Sequence, residues 1–503
     1  MKVYYDDSYA GAGKTEQAIK EMVKSKRKTL FFTERIESFD ELERRINRQA
    51  GINGTAPIID KVYSAQTDRL GSVSRQIEAL PERHRHHDHV IVIATHAGML
   101  RSELSGFWGW HVIVDEVPQF VDYEEKRTHL DAAFFETHYQ LEAAADGWNL
   151  VKAKDTRSAL SVADVLADQS HDHLAVFHRR VLEATPESSN RCVLVNLPSW
   201  DAMSDRKVQW CWASAFTLKE LEPFETVTVL GNRFRSDVGS LISEKMGLND
   251  IEWEALPRPS MQRFFQFRPV HISYFSETRS ASRYLFESEA GQVMLREIGA
   301  RLAKELSGHG HIWTANEREK GSTSAPRPKA LLQGAGLDAA KYLSPRQAGT
   351  NLYKGVSHAA AIYSAKASPN LVALLDVLGI DREAWERSIE HETILQFVTR
   401  TSVRDPDNSS PVRLWVFDRE QALYLKEYLD GLGFASATIS LVPDGPAIPA
   451  MGKRGRAPSI YSPLEQEQRK EAERAKARER KRRSRARKKR EQESAAPQKN
   501  KAA

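Results

Sequence analysis

Eight residues near the start constrain this chain more than any other stretch: Ser8-Tyr9-Ala10-Gly11-Ala12-Gly13-Lys14-Thr15. They follow a β-like run, Val3–Asp6, and open a stretch of helical spacing, Glu16–Val23. Strand, glycine-rich loop and helix in that order build a cradle for phosphate. The glycines let the backbone turn tightly, so that successive N–H groups point inward at phosphate oxygens. The positive end of the following helix adds to that field. Lys14 is expected to reach the β- and γ-phosphates as a point charge, and the Thr15 hydroxyl to ligate Mg²⁺. Ser8, Ala10, Gly11, Ala12 and Gly13 complete the cradle, with Ser8 standing where the general pattern has a glycine.

About a hundred residues later comes His111-Val112-Ile113-Val114-Asp115-Glu116-Val117-Pro118. An apolar strand ending in two adjacent carboxylates supplies the second half of such a site. Asp115 is expected to hold Mg²⁺, and Glu116 to act as general base on the attacking water. Neighbouring residues of a strand point to opposite faces, so both carboxylates reach the nucleotide only if the chain turns there.

The 503 residues exceed what one hydrophobic core supports, so two or three domains are expected. Short apolar runs alternate with stretches of helical spacing, the pattern of parallel sheets flanked by helices. Expected strands are Val3–Asp6, Thr29–Thr33, Val90–Ala94, Val112–Val114, Val193–Val195 and Val227–Leu230, followed by His271–Phe275, His311–Thr314, Ala360–Tyr363 and Val412–Phe417. Residues 123–191 carry long helical patterning and many charges, and read as a helical insertion. The expected class is α/β: an ATP-binding domain over 1–265, a second parallel-sheet domain over 266–445, and a basic tail over 446–503, helical or disordered. No stretch approaches the roughly 20 apolar residues of a membrane span. The start reads as a strand, not a signal peptide. Cys192 and Cys211 are too few for a disulfide framework, so a reducing, cytoplasmic setting is expected.

With both halves of a nucleotide site in hand, the sequence resembles the superfamily 2 helicases, the DEAD/DEAH-like group, and in particular divergent members of phages and mobile elements. The first motif of that group, Ala-x-x-Gly-x-Gly-Lys-Thr, is matched from Ser8 to Thr15 at all but the opening alanine, and its Asp-Glu motif at Asp115–Pro118. Ser214-Ala215-Phe216-Thr217 is similar to the third motif, which implies that Ser214 and Thr217 couple hydrolysis to motion. Gly349-Thr350-Asn351-Leu352-Tyr353-Lys354 is similar to the fifth, with Gly349 towards the nucleotide and Thr350, Asn351 and Lys354 towards nucleic acid. Gln396 to Arg404 is similar to the sixth, where an arginine from the second domain reaches the γ-phosphate. Arg404 follows Arg400 by four residues where the family has three, which leaves that role to either arginine. Thr33, Thr95 and His96 fall where the family contacts the nucleic-acid backbone. The resemblance covers roughly residues 1–440. It implies two RecA-like domains in tandem, ATP and Mg²⁺ as ligands, and helicase or translocase activity in phage or mobile-element replication or recombination, alongside replication proteins.

Charge points the same way. From Met451 to Ala503 there are 19 Lys and Arg against 7 Asp and Glu, which leaves 54 against 61 for the rest. The densest run, with Arg482, Arg483, Arg485, Arg487 and Lys488, is an electrostatic footprint for a polyanion, with DNA favoured over RNA. No aromatic residue is interleaved after Tyr461, so the tail is not expected to stack on bases. His84, His86, His87 and His89 read as an exposed polar loop, and Trp108 and Trp110 as core. Two other functions fit the first motifs: a phage-type packaging ATPase, which needs a nuclease domain with clustered acidic ligands that is not seen here, and a nucleotide-dependent switch that binds nucleic acid without moving along it.

Overall fold

The computed structural model describes residues 1–63, 73–116, 118, 120–128, 132–145, 148–154, 160–168, 171, 174–186, 191–196, 208–234, 237–245, 251–257, 265–317, 327–345 and 352–450. Met1–Pro449 forms one compact unit. The tail cations named above and Gly349, Thr350 and Asn351 lie outside the described residues.

The first sheet is built from β1 (Lys2–Asp6), β2 (Lys28–Thr33), β3 (Ile58–Val62), β4 (Val90–Thr95), β5 (His111–Asp115), β11 (Thr226–Leu230) and β12 (Glu252–Ala255). Its order is β12-β1-β11-β5-β2-β4-β3, and every pairing is parallel. Parallel strands are covered on both faces and so read as continuous apolar runs. In β2, Leu30 and Phe32 enter one core while Phe31 enters the other, where helices Lys14–Ser25 and Phe39–Asn53 contribute Ile19, Met22, Phe39 and Leu42.

A second parallel sheet, β14-β15-β16-β13-β17, follows. Its strands are β13 (Arg268–Ser276), β14 (His311–Ala315), β15 (His358–Ile362), β16 (Val412–Asp418) and β17 (Ala435–Leu441). One face packs on Ile394, Phe397, Ala422 and Leu425, the other on helix Glu289–Leu306. The chain thus contains two parallel-sheet α/β domains in tandem; the expected strand Val193–Val195 lies in neither of their sheets, and β3, β12 and β17 add to the expected set.

The insertion departs from expectation. In place of a helical insertion, the described residues between 121 and 215 include a five-stranded antiparallel sheet, β6-β10-β9-β8-β7, from β6 (Val121–Thr128), β7 (Tyr139–Ala145), β8 (Trp148–Ala153), β9 (Cys192–Asn196) and β10 (Val208–Ala215). Helix Ala175–Ala184 packs on one face with Phe177 and Val181 against Trp210 and Trp212. The other face buries Trp148, Leu194 and Ala213 against Leu371, Leu374 and Trp385 of the second domain. Helix-forming composition misled here. Tyr-Gln-Leu-Glu-Ala-Ala-Ala in β7 and the charges of β6 belong to the two edge strands, where pairing with a neighbour overrides weak local propensity. Among the described residues no helix is long and apolar enough to cross a membrane.

Candidate nucleotide site

Register sets the site. Asp6, Leu230 and Asp115 lie in one row across β1, β11 and β5, at their C-terminal ends. The chain leaves β1 into the glycine loop, where Gly11 and Gly13 have φ of +89° and +95°, values that a side chain strains against. Ser8 N donates to Asp6 Oδ1 at 2.9 Å, and the Ser8 hydroxyl bonds the same oxygen, so Ser8 pins the loop's entry. Lys14 Nζ donates to the carbonyls of Ser8 (2.6 Å) and Tyr9 (3.2 Å), folded back on its own loop. Thr15 Oγ1 donates to both oxygens of Asp115, at 3.1 and 3.0 Å. The hydroxyl and carboxylate assigned to Mg²⁺ are therefore adjacent, as one cation would need. Glu116 has φ +69°, and its N–H donates to Leu230 O at 2.8 Å. That left-handed turn lets consecutive carboxylates share the cleft.

The charges are held out of water. Burial lowers the Lys14 pKa against the opposing pull of Asp6, Asp115, Glu116 and Glu392. Asp115 is pushed up to about 7 by burial, with Glu116 adding repulsion and the Thr15 hydroxyl and Lys14 opposing. Glu116 is raised by burial, opposed by Arg400, Lys14, Arg35 and a hydrogen bond from Glu34. A carboxyl raised in this way is suited to taking a proton near neutral pH.

The second domain closes the cleft. Helix Glu392–Val398 carries Glu392 and Gln396 one turn apart on one side, and Arg400 follows in the turn after its end, its N–H donating to Phe397 O at 3.2 Å. Arg400 is 4% exposed, and its Nε and Nη1 have no hydrogen-bond partner. Burial lowers it to about 10, with Glu116 its strongest opposing charge. Arg404 lies over the loop itself: a Cβ added to Gly11 would stand 3.0 Å from Arg404 Cβ. Ala10 N donates to Tyr428 Oη at 2.9 Å, and Tyr9 packs edge-on against Phe434 at 5.5 Å. Asn232 Nδ2 donates to Glu392 Oε1 at 3.1 Å, and the Arg233 guanidinium lies 5.1 Å from the Tyr424 ring.

Just beyond these, Asp237 is pushed up to about 7 by burial and by Glu392, against N–H bonds from Gly239 and Val238. A carboxyl with a raised folded-state pKa gives its full stabilisation below the unfolded value near 4, and loses it as pH climbs through 7. Asp237→Asn keeps the Gly239 bond through its amide oxygen and removes the charge. The expected result is unchanged melting at pH 4 and a gain on the order of 1–2 kcal/mol at pH 8, read by thermal unfolding. Equal shifts at both pH values would disprove the assignment.

Several expected residues lie elsewhere. Ser214 sits in the antiparallel sheet opposite Asp122 and Val193, and Thr217 precedes the turn that leads to the N-terminal end of β11, the wrong end for coupling. The strand between β1 and β5 is β11, and its C-terminal end delivers Gly231, whose N–H donates to Asp6 O, and Asn232. The polar Gly-Asn-Arg directly after Thr226–Leu230 was the available signal. Thr33 is buried, and Thr95 caps helix His96–Met99 by accepting from Gly98 N. His96 is buried against the backbone of Asp115 and Phe32 and lowered to about 4, so it supports the acidic strand and presents nothing to a surface ligand. Lys354 is exposed. Trp110 is core but Trp108 is 74% exposed, and His84 is buried beside Asp60. Among the described residues no three His, Cys, Asp or Glu side chains are placed to hold a metal.

No protein-family model matches the sequence, and no curated protein matches it. Among solved structures the chain is similar to one titled XPD_Helicase, with 10% identity over 88% of this chain and 96% of that one and a TM-score of 0.44. It is similar to Xpd4 of S. tokodaii, with 11% identity, 87% and 96% covered and a TM-score of 0.40. A third is S. cerevisiae Dbp5 bound to RNA and ADP BeF3, with 10% identity, 88% and 86% covered and a TM-score of 0.36.

Proposed function

We propose that this chain is an ATP-driven motor that hydrolyses ATP between its two parallel-sheet domains to move along or unwind nucleic acid. The observation that carries the reading is Arg400, a buried guanidinium from the second domain with two unpartnered N–H positions, facing Glu116 of the first. A γ-phosphate would give both positions an acceptor. The loop N–H groups and Lys14 hold the triphosphate. Thr15 and Asp115 hold Mg²⁺, which when bound neutralises phosphate charge. Glu116 takes the proton of the attacking water, and Arg400 stabilises the charge that develops on the transferred group. Because the two walls belong to different domains, closure is favoured by triphosphate and lost on hydrolysis, a two-state element that grips nucleic acid differently in each state. DNA is our first choice of track, with phage or mobile-element replication or recombination as the setting, on the likeness of the motifs.

The test is ATP turnover with single-stranded DNA, duplex DNA and RNA. Nucleic-acid-stimulated hydrolysis is expected in the wild type and none in Lys14→Ala. Deleting residues 451–503 is expected to remove stimulation and leave the basal rate. Turnover indifferent to every nucleic acid would defeat the motor reading and favour a switch.

A further inference from the structure

The register of the second sheet builds a feature with no part in the cleft. His311 of β14 pairs with His358 of β15, which pairs with Arg413 of β16; Arg413 pairs with His271 of β13, and His271 with Thr438 of β17. Paired residues of a parallel sheet point to the same face, so the five make one continuous row across five strands, at the N-terminal ends of β14, β15 and β16 and nearer the middle of β13 and β17. The row is about 19 Å long at roughly 4.8 Å per strand. Its face is the one covered further along by helix Glu289–Leu306: Trp313 and Trp415, each two residues on, are buried in that core. The row stands before that cover begins. His271, Arg413 and Thr438 are exposed and His311 is half-buried. His309 joins from the turn after the helix, stacked on His358 at 4.4 Å.

Burial lowers His358 to about 4, and His309, Arg413 and His311 add to the lowering. His358 therefore stays neutral and donates or accepts hydrogen bonds. It is also held by the Ser357 hydroxyl at 2.8 Å and the Trp415 ring. Arg413 makes no ion pair among the described residues. On its other side His271 bonds the hydroxyls of Thr438 and Ser440, at 2.9 and 3.0 Å. A line of imidazoles, one unpaired guanidinium and hydroxyls, open and flat, lacks the walls that hold a small anion. It suits an extended anion with repeating charge.

We propose that this row is a second nucleic-acid contact, binding the phosphodiester backbone of a strand outside the ATP cleft. It rests on the motor reading for the class of ligand. Arg413 carries the charge of the row, and the imidazoles and hydroxyls beside it offer hydrogen bonds to phosphate oxygens.

The test is the salt dependence of binding a labelled single-stranded oligonucleotide by the full chain, followed by fluorescence anisotropy. Arg413→Gln is expected to make the slope of log affinity on log salt shallower by about 0.7, the loss of one phosphate contact. Arg413→Lys is expected to restore it. Basal ATP turnover should be unaffected throughout. A slope in Arg413→Gln equal to that of the wild type would overturn the proposal. So would loss of binding to polyglutamate, and not to the oligonucleotide, in the variants, which would assign the row to an acidic protein. A wild-type chain that binds no oligonucleotide defeats the motor reading itself, whereas binding that ignores Arg413→Gln defeats only this row.

Discussion

Glu116→Gln is expected to lower the turnover of ATP by about 10²–10⁴-fold while leaving nucleotide affinity within a few-fold of wild type. The substitution keeps the shape of the side chain and the left-handed turn at φ +69°. It removes only the ability to accept a proton. Burial raises this carboxyl against the pull of its cationic neighbours, so it takes up its proton more readily than an ordinary glutamate, and wild-type turnover should fall as acid titrates it. The rate should recover as pH rises, with the acid limb absent in the glutamine variant. Single-turnover hydrolysis across a pH series reads both effects. A variant retaining a tenth of wild-type turnover would remove Glu116 from the role of base.

The second large effect concerns the two arginines. Arg400→Ala is expected to reduce turnover by about 10³–10⁵-fold, the range for a charge brought to the transferred phosphoryl group from a separate element. Arg404→Ala should act more weakly and mainly on KM, because Arg404 covers Gly11 with its Cβ and so shapes the loop that binds phosphate. Arg400→Lys should recover little, since an ammonium cannot reproduce the planar fork. The kcat-against-KM split separates the two residues. If Arg404→Ala proved the more damaging to kcat, the roles assigned to the pair would be reversed.

What the sequence made legible was local. Ser8–Thr15 declares itself because strand, glycines, lysine and helix are contiguous, and Asp115-Glu116 because an apolar strand ends in charge. Arg400 and Arg404 were legible as candidates, but choosing between them required the packing of Arg404 on Gly11 and the empty donors of Arg400. The places of Ser214 and Thr217 were not legible because strand order is not written along the chain. Nothing in Ser-Ala-Phe-Thr reveals that Ser214 pairs into another sheet, and nothing in Leu-Gly-Asn-Arg reveals that β11 slots between β1 and β5. Tyr428, the partner of Ala10, lies 418 positions away and carries no local mark. The antiparallel insertion was hidden for a related reason: its edge strands are stabilised by neighbours distant in sequence, and their own composition favours a helix.

That insertion changes how the cleft can open. The chain leaves the first sheet after β5, builds the inserted sheet, and returns at β11, while the inserted sheet lays its second face on Leu371, Leu374 and Trp385 of the other domain. The inserted sheet hangs from the first sheet by two lengths of backbone, after β5 and before β11, and meets the second domain through side-chain packing, while one further length of chain runs from β12 to β13. Two bodies joined by one string can swivel freely; a third body fixed to one and packed on the other removes part of that freedom. On the motor reading, the cleft opens only by carrying the inserted sheet along or by parting it from Leu371, Leu374 and Trp385.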